Sequence, residues 1–405
     1  MKKICLVSDG QPSTNPRFLK EADALYEAGY DLTVIFCQGW AHWAMESDKK
    51  ILSKRRWKYQ SVVWSVKENP YLFYKSRLRF FLARSFTQSE SSLNRVYPEL
   101  SKAVLSEKAD LYVAHYLGAL SAAAKAAEKY GAKLGFDAED FHSADSGIED
   151  KRMSRKRDRL IERVEEKYLP RCSYVTAASD PIAQAYATKY KIPKPVTILN
   201  VFPLAMKAHD PRCPETNDLS LYWFSQTIGP GRGLEEVVLA MGSIDQPIQL
   251  HLQGLVRDQY RKELTALAFK NKLTEHQIVW MEPAHPEDLV NIASCFDVGL
   301  TLERNRPLNK DLCVSNKIFT YLLAGLSVIA TQTQGQNSIL KEIGQGGWSY
   351  KPGDTAVLAA RLQFLAQNKE ALEASKRESL KCAREKYNWD IEKSKFLSVI
   401  RSVLD

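Results

Sequence analysis

Long hydrophobic runs are absent from this 405-residue sequence. No stretch approaches the roughly 20 apolar residues of a membrane-spanning helix, and the first apolar run, Ile4–Val7, is too short for the core of a signal peptide. The seven cysteines show no C-x-x-C spacing, so the sequence indicates neither a zinc site nor a disulfide framework. We therefore expect a cytoplasmic protein, either in solution or peripheral at the inner face of the membrane.

A dinucleotide-binding fingerprint is also missing. The loop after the first predicted strand is not G-x-G-x-x-G, which argues against NAD or FAD as a cofactor. The apolar fraction of 44% is enough to build full cores and excludes a disordered chain. The net charge of +9 favours anionic partners such as nucleotide phosphates, lipid head groups or nucleic acid. No basic-aromatic sheet or recognition helix supports nucleic acid as the partner.

Strand and helix patterns alternate in two separate parts of the chain. In the first, Ile4–Val7 precedes a polar loop and a helix that begins at Pro16. In the second, Leu221–Phe224 precedes a glycine-rich turn and another helix. Such βαβ units predict an α/β fold with two parallel sheets covered by helices. The predicted segments are an N-terminal domain at 1–203, a proline-rich linker at 204–218, a second domain at 219–385, and a C-terminal helix at 386–405 that packs back toward the first domain.

One stretch, Ser315–Thr331, combines a polar helix start with a buried strand. Ser315 is a favourable N-cap, apolar side chains repeat at offsets of three and four, and Gly325 is typical of a helix end. Lys317 adds a cation to the helix N-terminus, where free N–H groups and the helix dipole favour an anion. This pattern predicts a phosphate site. The alternative is a solvated lysine in the first turn.

A glycine-rich turn at 229–233 joins a strand to a helix and contains Arg232. Backbone amides in such a turn can approach an anion closely. The glycines alone are weak support, since neighbouring glycines often make an ordinary turn. Together with the arginine and the helix start, they indicate a second phosphate-binding element.

Acidic residues and a histidine follow the strand that ends at Asp137. Glu139, Asp140 and His142 come directly after it, and open α/β sheets place their ligands at the carboxyl ends of strands. We predict a functional site at this cluster. For any single residue, the alternative is a loop that caps the next helix.

Residues 71–86 interleave aromatic and leucine side chains with the cations Lys75, Arg77, Arg79 and Arg84. A helix with an apolar side and a basic side can lie on an anionic membrane. The alternative is a helix that packs its aromatic side chains on the core and leaves its charges in water.

These motifs together resemble the GT-B fold of glycosyltransferases, in which two Rossmann-like parallel-sheet domains face a central cleft and a helical C-terminal tail follows. Residues 315–330 are similar to the motif N-K-x-x-E-Y-x-x-A-G-x-P-V-I-A of family 4 of the retaining glycosyltransferases. Residues 137–140 resemble that family's D-A-H-D/E stretch. The turn at 229–233 is similar to its donor-diphosphate turn, and residues 15–17 resemble its first acceptor-side loop.

The resemblance, together with the positions of individual residues in the sequence pattern, implies roles for these residues. The expected donor-binding residues are Gly229, Gly231, Arg232, Gly254, Glu303, Ser315, Asn316, Lys317 and Thr320. The expected acceptor-side residues are Asn15 and Arg17. The catalytic candidates are Asp137, Glu139, Asp140, His142, Arg232 and Lys317. No metal is expected, because the donor domain contains no Asp-x-Asp pair, and no cofactor is expected beside the nucleotide-sugar substrate.

Five positions depart from the family pattern. Thr320 and Leu312 stand where two glutamates usually hold the donor, and Thr227 stands where an arginine often accompanies the second cation. Glu139 replaces a histidine, and Ser327 replaces a proline. These changes leave open which nucleotide and which sugar the protein binds. Glu303, at the end of a predicted strand, is the candidate substitute partner for the donor.

The resemblance implies a metal-independent, retaining glycosyltransferase. It would move a sugar from a nucleotide-diphosphate-sugar to a hydroxyl acceptor such as a growing cell-surface polysaccharide or a lipid-linked saccharide. Arg232, Lys317 and the amides at two helix starts would stabilise the charge that grows on the departing diphosphate. Two alternatives remain: a nucleotide-sugar epimerase of the same fold, and a non-catalytic nucleotide-sugar-binding relative.

Overall fold

The chain divides into two compact units, each built on one sheet. The computed structural model describes residues 1–39, 42–84, 89–144, 151–206 and 218–405. Unit 1 comprises Met1–Ile198 and Lys393–Asp405, and unit 2 comprises Leu199–Glu392. Both sheets are parallel, so the predicted α/β class with two parallel-sheet domains is confirmed. Of the predicted linker, residues 207–217 lie outside the described part of the chain.

Unit 1 is a seven-stranded parallel sheet with helices. Its strands are β1 (Lys3–Ser8), β2 (Asp31–Gln38), β3 (Lys58–Val63), β4 (Leu111–His115), β5 (Lys133–Ala138), β6 (Tyr174–Ala177) and β7 (Val196–Thr197). Its helices are α1 (Pro16–Glu27), α2 (His42–Ser53), α3 (Pro70–Leu82), α4 (Tyr97–Ser106), α5 (Leu117–Tyr130), α6 (Lys151–Tyr168) and α7 (Asp180–Tyr190). The strand order is β3-β2-β1-β4-β5-β6-β7. The order reverses between β1 and β4, and open α/β sheets bind ligands at such a switch point.

Apolar residues on both faces explain why the central strands are buried. Ile4–Val7 of β1 are fully buried, as expected for a parallel strand covered by helices on both sides. Helix α1 begins after Asn15, whose side chain accepts a hydrogen bond from the N–H of Phe18, with Pro16 in the first turn. The edge strand β3 is polar and largely exposed, so its sequence lacks the apolar pattern that predicts the central strands.

Unit 2 is a six-stranded parallel sheet with helices. Its strands are β8 (Leu219–Ile228), β9 (Ile248–Val256), β10 (Ile278–Met281), β11 (Val298–Thr301), β12 (Ser327–Thr331) and β13 (Gly347–Tyr350). Its helices are α8 (Leu234–Met241), α9 (Asp258–Lys270), α10 (Leu289–Ala293), α11 (Leu308–Leu312), α12 (Asn316–Ala324), α13 (Gln334–Ile343), α14 (Thr355–Gln367) and α15 (Lys369–Glu385). The strand order is β10-β9-β8-β11-β12-β13. The switch point of this sheet lies between β8 and β11.

Helices end the chain, as the sequence predicts. After α14 and α15 comes α16 (Trp389–Leu404). Its residues from Lys393 onward belong to unit 1, where Lys393 forms an ion pair with Glu27. Among the helices of the described residues, none has the length and apolar character needed to cross a membrane.

One cysteine differs from the expectation. The free thiols of the described residues are those of Cys5, Cys37, Cys172, Cys313 and Cys382. Cys295, in contrast, is disulfide-bonded. Spacing along the sequence detects C-x-x-C motifs but does not show which cysteines a fold brings together.

A cluster around Glu90 lies outside the predicted sites. Its carboxylate accepts hydrogen bonds from Tyr97 (2.8 Å), Lys125, Lys167 and Tyr168. Burial alone would raise the pKa of Glu90, but the hydrogen bonds from Lys125 and the tyrosines outweigh it and lower the pKa to about 2. The ionised carboxylate therefore stabilises the folded state.

We expect Glu90→Gln to remove a pH-dependent contribution to stability. Because the folded pKa lies below the ordinary 4.5, this contribution is present above about pH 4.5 and is lost as the pH falls toward 2. The variant should lose about 1–2 kcal/mol of unfolding free energy at pH 7, after allowance for solvent screening, and match the wild type near pH 2. Urea titrations across this range measure the difference, with the exposed Glu128→Gln as control. A difference that stays constant with pH would contradict the prediction.

Candidate functional site

At the switch point of unit 1, the loop after β1 lies against the start of α5. A Cβ on Gly10 would stand 3.2 Å from the ring of Tyr116. Asn15 donates from Nδ2 to Oη of Tyr116 (3.1 Å) and to Oε1 of Glu139 (2.5 Å). Tyr116 has a φ of 69°, a conformation that is rare outside glycine and clusters at functional sites. The fold thus brings together two predicted site residues, Asn15 and Glu139.

His115, the last residue of β4, completes this group. It is fully buried and pairs in register with Asp137 of β5. Its Nδ1 lies 3.2 Å from Oε1 of Glu139, and its Nε2 lies 3.0 Å from Oε2 of Glu21. Both ring nitrogens face carboxylates, and only the imidazolium has two N–H donors. Burial lowers the pKa of His115, but Glu21 and Glu139 outweigh burial and raise it to about 10.

Arg17 is not available to an acceptor. Its side chain is fully buried and donates to both oxygens of Asp137 at 2.6 Å and to the carbonyl oxygen of Ile198 at 2.5 Å. Thr176 also donates to Asp137 (2.5 Å). Burial raises the pKa of Asp137, but Arg17 and His115 outweigh it and lower the pKa to about 2. The structure therefore places Arg17, predicted as an acceptor-side residue, and Asp137, predicted as a catalytic candidate, in a buried ion pair beyond the reach of a ligand.

Three side chains of this network have the chemistry of metal ligands. Atoms of Glu21, His115 and Asp137 lie within 4.8 Å of one another. A metal ion does not fit them, because both oxygens of Asp137 already accept hydrogen bonds from Arg17 and each nitrogen of His115 faces a carboxylate. Arg17 and the imidazolium supply the positive charge that these carboxylates require.

Asp140 and His142 follow β5 in a short turn. The carbonyl oxygen of Asp140 accepts a hydrogen bond from Oη of Tyr186 (3.1 Å). The ring of His142 lies 6.5 Å from that of Tyr116, and its buried Nε2 has no hydrogen-bond partner among the described residues. Residues 145–150, which follow the turn, are outside the described part. His142 thus lies beside Tyr116, and Tyr116 in turn contacts Asn15 and Glu139.

In unit 2, the predicted glycine-rich turn leaves β8 at the switch point. Gly229 opens the turn, and Gly231 and Gly233 have φ values of 72° and 79°, a region that favours glycine. A Cβ on Gly233 would stand 2.8 Å from Cβ of Leu302, directly after β11. Arg232 is exposed and donates to Oγ1 of Thr227 at 3.4 Å. An exposed cation and the start of α8 therefore lie beside the end of the neighbouring strand.

Lys317, at the start of α12, faces a carboxylate. Its Nζ lies 3.6 Å from Oε1 of Glu303 and 5.6 Å from the ring centre of Trp223. Burial raises the pKa of Glu303, but Lys317, Lys310 and the Ser315 hydroxyl outweigh burial and lower it. A lysine beside the positive end of a helix needs a nearby anion, and Glu303 supplies one. The position of Lys317 alone therefore does not require a phosphate.

The residues around Lys317 differ in their access to a ligand. Ser315 has the extended backbone of an N-cap, but its hydroxyl makes no capping bond and interacts with Glu303 instead. Asn316 is exposed. Thr320 is fully buried and donates from Oγ1 to the carbonyl oxygen of Asn316 (3.4 Å). The predicted donor contact of Thr320 is therefore not available in this structure.

Gly254 has a structural explanation. It lies inside β9 with a φ of 145°, and a Cβ there would stand 2.1 Å from the carbonyl oxygen of Ser225. Any side chain would collide with the neighbouring strand β8, which has a register shift between Phe224 and Thr227. Its predicted donor role is not needed to explain the glycine.

The sequence patterns do not single out Glu21, His115 or Tyr116. His115 ends a buried strand, so the carboxyl-end rule that indicates Asp137 applies equally to it. Glu21 follows Arg17 by four residues in α1, a spacing that places both on one face. The conformation of Tyr116 has no sequence signal, because it depends on the packing of the loop after β1.

Solved structures share this architecture, although the sequence matches no protein-family model and no curated protein. HepE of Anabaena, in complex with UDP, has a TM-score of 0.73 at 15% identity, covering 99% of this chain and 100% of that chain. Sucrose-phosphate synthase of Thermosynechococcus elongatus has 0.71 at 15%, covering 99% of each. A glycosyltransferase of Rickettsia africae has 0.68 at 13%, covering 100% and 99%.

The chain has the GT-B fold. The predicted GT-B architecture, with two parallel-sheet domains and a helical C-terminal tail, is thereby confirmed. At identities of 15% and below, the likeness establishes the fold alone, and membership of family 4 stays a prediction.

Proposed function

We propose that this GT-B protein is a glycosyltransferase that moves a sugar from a nucleotide-diphosphate-sugar to a hydroxyl acceptor. The observation that carries the proposal is the grouping of Arg232, Glu303 and Lys317 at the carboxyl ends of β8 and β11, the switch point of unit 2. HepE, which has the same fold, forms complexes with UDP and with UDP-glucose. These observations support unit 2 as the donor-binding unit.

The proposed chemistry stabilises a leaving group. When the bond between the sugar and the diphosphate breaks, negative charge grows on the departing oxygen. Arg232, Lys317 and the amides at the starts of α8 and α12 would interact more strongly with that charge than with the bound donor, which lowers the barrier. These groups supply the positive charge that a metal ion supplies elsewhere, so we propose metal-independent transfer. Retention at the anomeric carbon rests on the resemblance alone, and proton NMR of the product tests it.

We assign the acceptor to unit 1. The Asn15–Glu139 group lies at the switch point of that sheet, where a polar ligand is expected. A carboxylate there can accept a hydrogen bond from a sugar hydroxyl. The acceptor class we propose is a growing cell-surface polysaccharide or a lipid-linked saccharide.

A thermal-shift screen of UDP, GDP, ADP and their sugar conjugates, with EDTA present, tests the donor site. A ligand that binds only the folded state raises Tm by mass action. We expect one nucleotide series to raise Tm of the wild type, Lys317→Ala to lose most of the shift, and the exposed Lys270→Ala to keep it. No shift with any nucleotide would overturn the proposal. A shift without transfer would favour the non-catalytic relative, and a changed sugar without an acceptor would favour an epimerase.

Helix α3 supports peripheral membrane attachment. Tyr71, Tyr74, Leu78 and Phe81 are 73%, 61%, 63% and 65% exposed, respectively. Their offsets of three and four residues place them on one side of the helix. On the other side, Ser76 is buried. The exposure of these four side chains supports a membrane-facing stripe, whereas Phe73 of the same helix stacks on Trp64 with ring centres 6.3 Å apart.

An anionic membrane fits the exposed side of α3. Lys75, Arg77 and Arg84 are exposed alongside the apolar stripe. Tyrosine rings suit the boundary between head groups and acyl chains, and each basic residue near an anionic surface contributes about 1 kcal/mol. Residues 85–86 of the predicted stretch lie outside the described part. We propose that this stripe rests on the inner leaflet, where a lipid-linked acceptor would be found.

The double variant Leu78→Ser with Phe81→Ser should weaken binding to vesicles containing phosphatidylglycerol by tenfold or more. Removing a large apolar side chain from water contributes about 1.5–3 kcal/mol, and this contribution would be lost at two positions. Vesicle co-sedimentation measures the effect, with phosphatidylcholine vesicles as the uncharged comparison. Leu239→Ser with Phe269→Ser, which removes exposed apolar side chains from unit 2, is the matched control. Equal binding by the two double variants would refute the membrane assignment.

A further inference from the structure

We propose that Glu139 is the carboxylate that contacts a substrate hydroxyl, and that His115 and Asn15 are positioning residues that hold it. The inference rests on the proposed function. It selects one group among the acidic residues that follow β5. His115 has no assigned role in the transfer chemistry described above.

Geometry distinguishes Glu139 from its acidic neighbours. Both oxygens of Asp137 take hydrogen bonds from Arg17, one also from Thr176, and the residue is buried. Glu139 directly follows β5; its Oε1 lies 3.2 Å from Nδ1 of His115, and its side chain is 16% exposed. Glu139 is therefore the carboxylate that combines the buried network with access to a ligand.

The donors around Glu139 are distributed unequally between its oxygens. Oε1 receives Nδ2 of Asn15 at 2.5 Å and lies 3.2 Å from Nδ1 of His115. Oε2 has a longer contact, 3.4 Å, with Oη of Tyr116. A carboxylate offers about four lone-pair sites. Oε1 is thus occupied by the two positioning residues, and Oε2 retains the capacity to accept a hydrogen bond from a hydroxyl.

The ring of His115 is enclosed by charged groups from two elements. Arg17 and Glu21 belong to α1, and Asp137 and Glu139 belong to or directly follow β5. Nε2 lies 3.0 Å from Oε2 of Glu21, while Nδ1 faces Glu139 and lies 3.5 Å from Oδ2 of Asp137. Whether the proton between Nε2 and Glu21 resides on the ring or on the carboxyl, Nδ1 keeps its hydrogen for Glu139. The network therefore holds the Glu139 carboxylate in a fixed orientation.

Activity assays test the contact with substrate. With the nucleotide-sugar identified by thermal shift, Glu139→Gln should lower kcat/KM for transfer between about tenfold and hundredfold, as expected when a hydrogen bond to a charged group is weakened. Glu90→Gln, which removes a carboxylate from a separate cluster of unit 1, is the control for stability. Unchanged transfer by Glu139→Gln, or a larger loss in Asp140→Asn, would overturn the assignment of Glu139.

A second measurement tests positioning without relying on turnover. In the protein labelled with nitrogen-15 at histidine, His115 is assigned by the signal that disappears in His115→Gln. At pH 8, where an ordinary histidine is neutral, Nδ1 should carry a hydrogen, and Nε2 should either carry one or accept a hydrogen bond. The Nδ1 resonance should shift in Glu139→Gln. A wild-type ring whose Nδ1 carries no hydrogen at pH 8 would overturn the positioning role.

The two measurements separate the inference from the proposed function. If the wild type transfers no sugar, the proposed function and the hydroxyl contact fail together, whereas the NMR result still decides whether His115 holds Glu139. If the wild type is active, His115→Gln, which keeps an amide N–H group as a donor, should retain more kcat/KM than His115→Phe at equal Tm. Equal losses in the two variants would argue against positioning through Nδ1.

Discussion

Arg17→Met is expected to destabilise unit 1 by about 3–5 kcal/mol, because it leaves Asp137 as a buried carboxylate without its cation. The guanidinium contacts Asp137 through two hydrogen bonds of 2.6 Å and lies 3.5 Å from Glu21. Water does not solvate the carboxylate left without its cation, since Arg17 and Asp137 are both buried. Urea unfolding measures the change in unfolding free energy. Hydrogen exchange of the β5 amides then assigns the change to unit 1.

The matched control for this prediction is Arg55→Met. Arg55 also makes two hydrogen bonds to one carboxylate, Asp23, at 3.0 and 3.1 Å, but the pair is partly exposed. Its loss should cost about 1 kcal/mol or less. Adding Asp137→Asn to Arg17→Met should recover part of the stability, because the cost lies in the unpaired charge. If Arg17→Met and Arg55→Met cost the same, burial does not govern the pair and the prediction fails.

The fold was predictable where its signals are local. The run Ile4–Val7, the helix start at Asn15-Pro16 and the αL residue Gly325 each lie within a few residues of the element they define. The edge strand β3 gave no such signal, because a strand with one exposed flank does not need apolar residues throughout. Two arrays of local signals were therefore enough to predict two parallel sheets.

The site was predictable only in part, for the same physical reason. The turn that contains Arg232 is defined by neighbouring glycines, so the sequence reveals it. The partner of Arg17 lies 120 residues away, and nothing in either segment shows that the fold joins them. Arg17 therefore resembles a ligand-binding cation in the sequence and is a buried structural residue in the fold.

Lys317 shows how a correct position can have an incomplete explanation. The sequence indicates a helix-start cation that needs an anion, and the structure supplies Glu303 at 3.6 Å. An anionic ligand would then compete with Glu303 for the lysine, or share it. The requirement for a phosphate has to come from Arg232 and the two helix starts together, not from Lys317 alone.

Lys317→Ala is expected to lower kcat for transfer by about 10²–10³-fold at a saturating concentration of the nucleotide-sugar. This is the range seen when one preorganised hydrogen-bond donor to a developing anion is removed. The donor diphosphate carries charge before reaction, so the variant should also raise KM. The growing charge on the leaving oxygen makes the interaction stronger in the transition state, so the fall in kcat should exceed what the weaker binding accounts for. Steady-state kinetics with the donor chosen by thermal shift separates the two effects.

Glu303→Gln and Lys270→Ala make this prediction specific. Lys270 is exposed at the end of α9, so its loss tests for a general effect of removing one positive charge. Glu303→Gln keeps Lys317 but removes its anionic partner, and should change KM and kcat less than Lys317→Ala does. A Lys317→Ala variant that raises KM and leaves kcat unchanged would place the lysine in ground-state binding only. In that case Arg232 and the amides of α8 would have to supply the stabilisation of the leaving group.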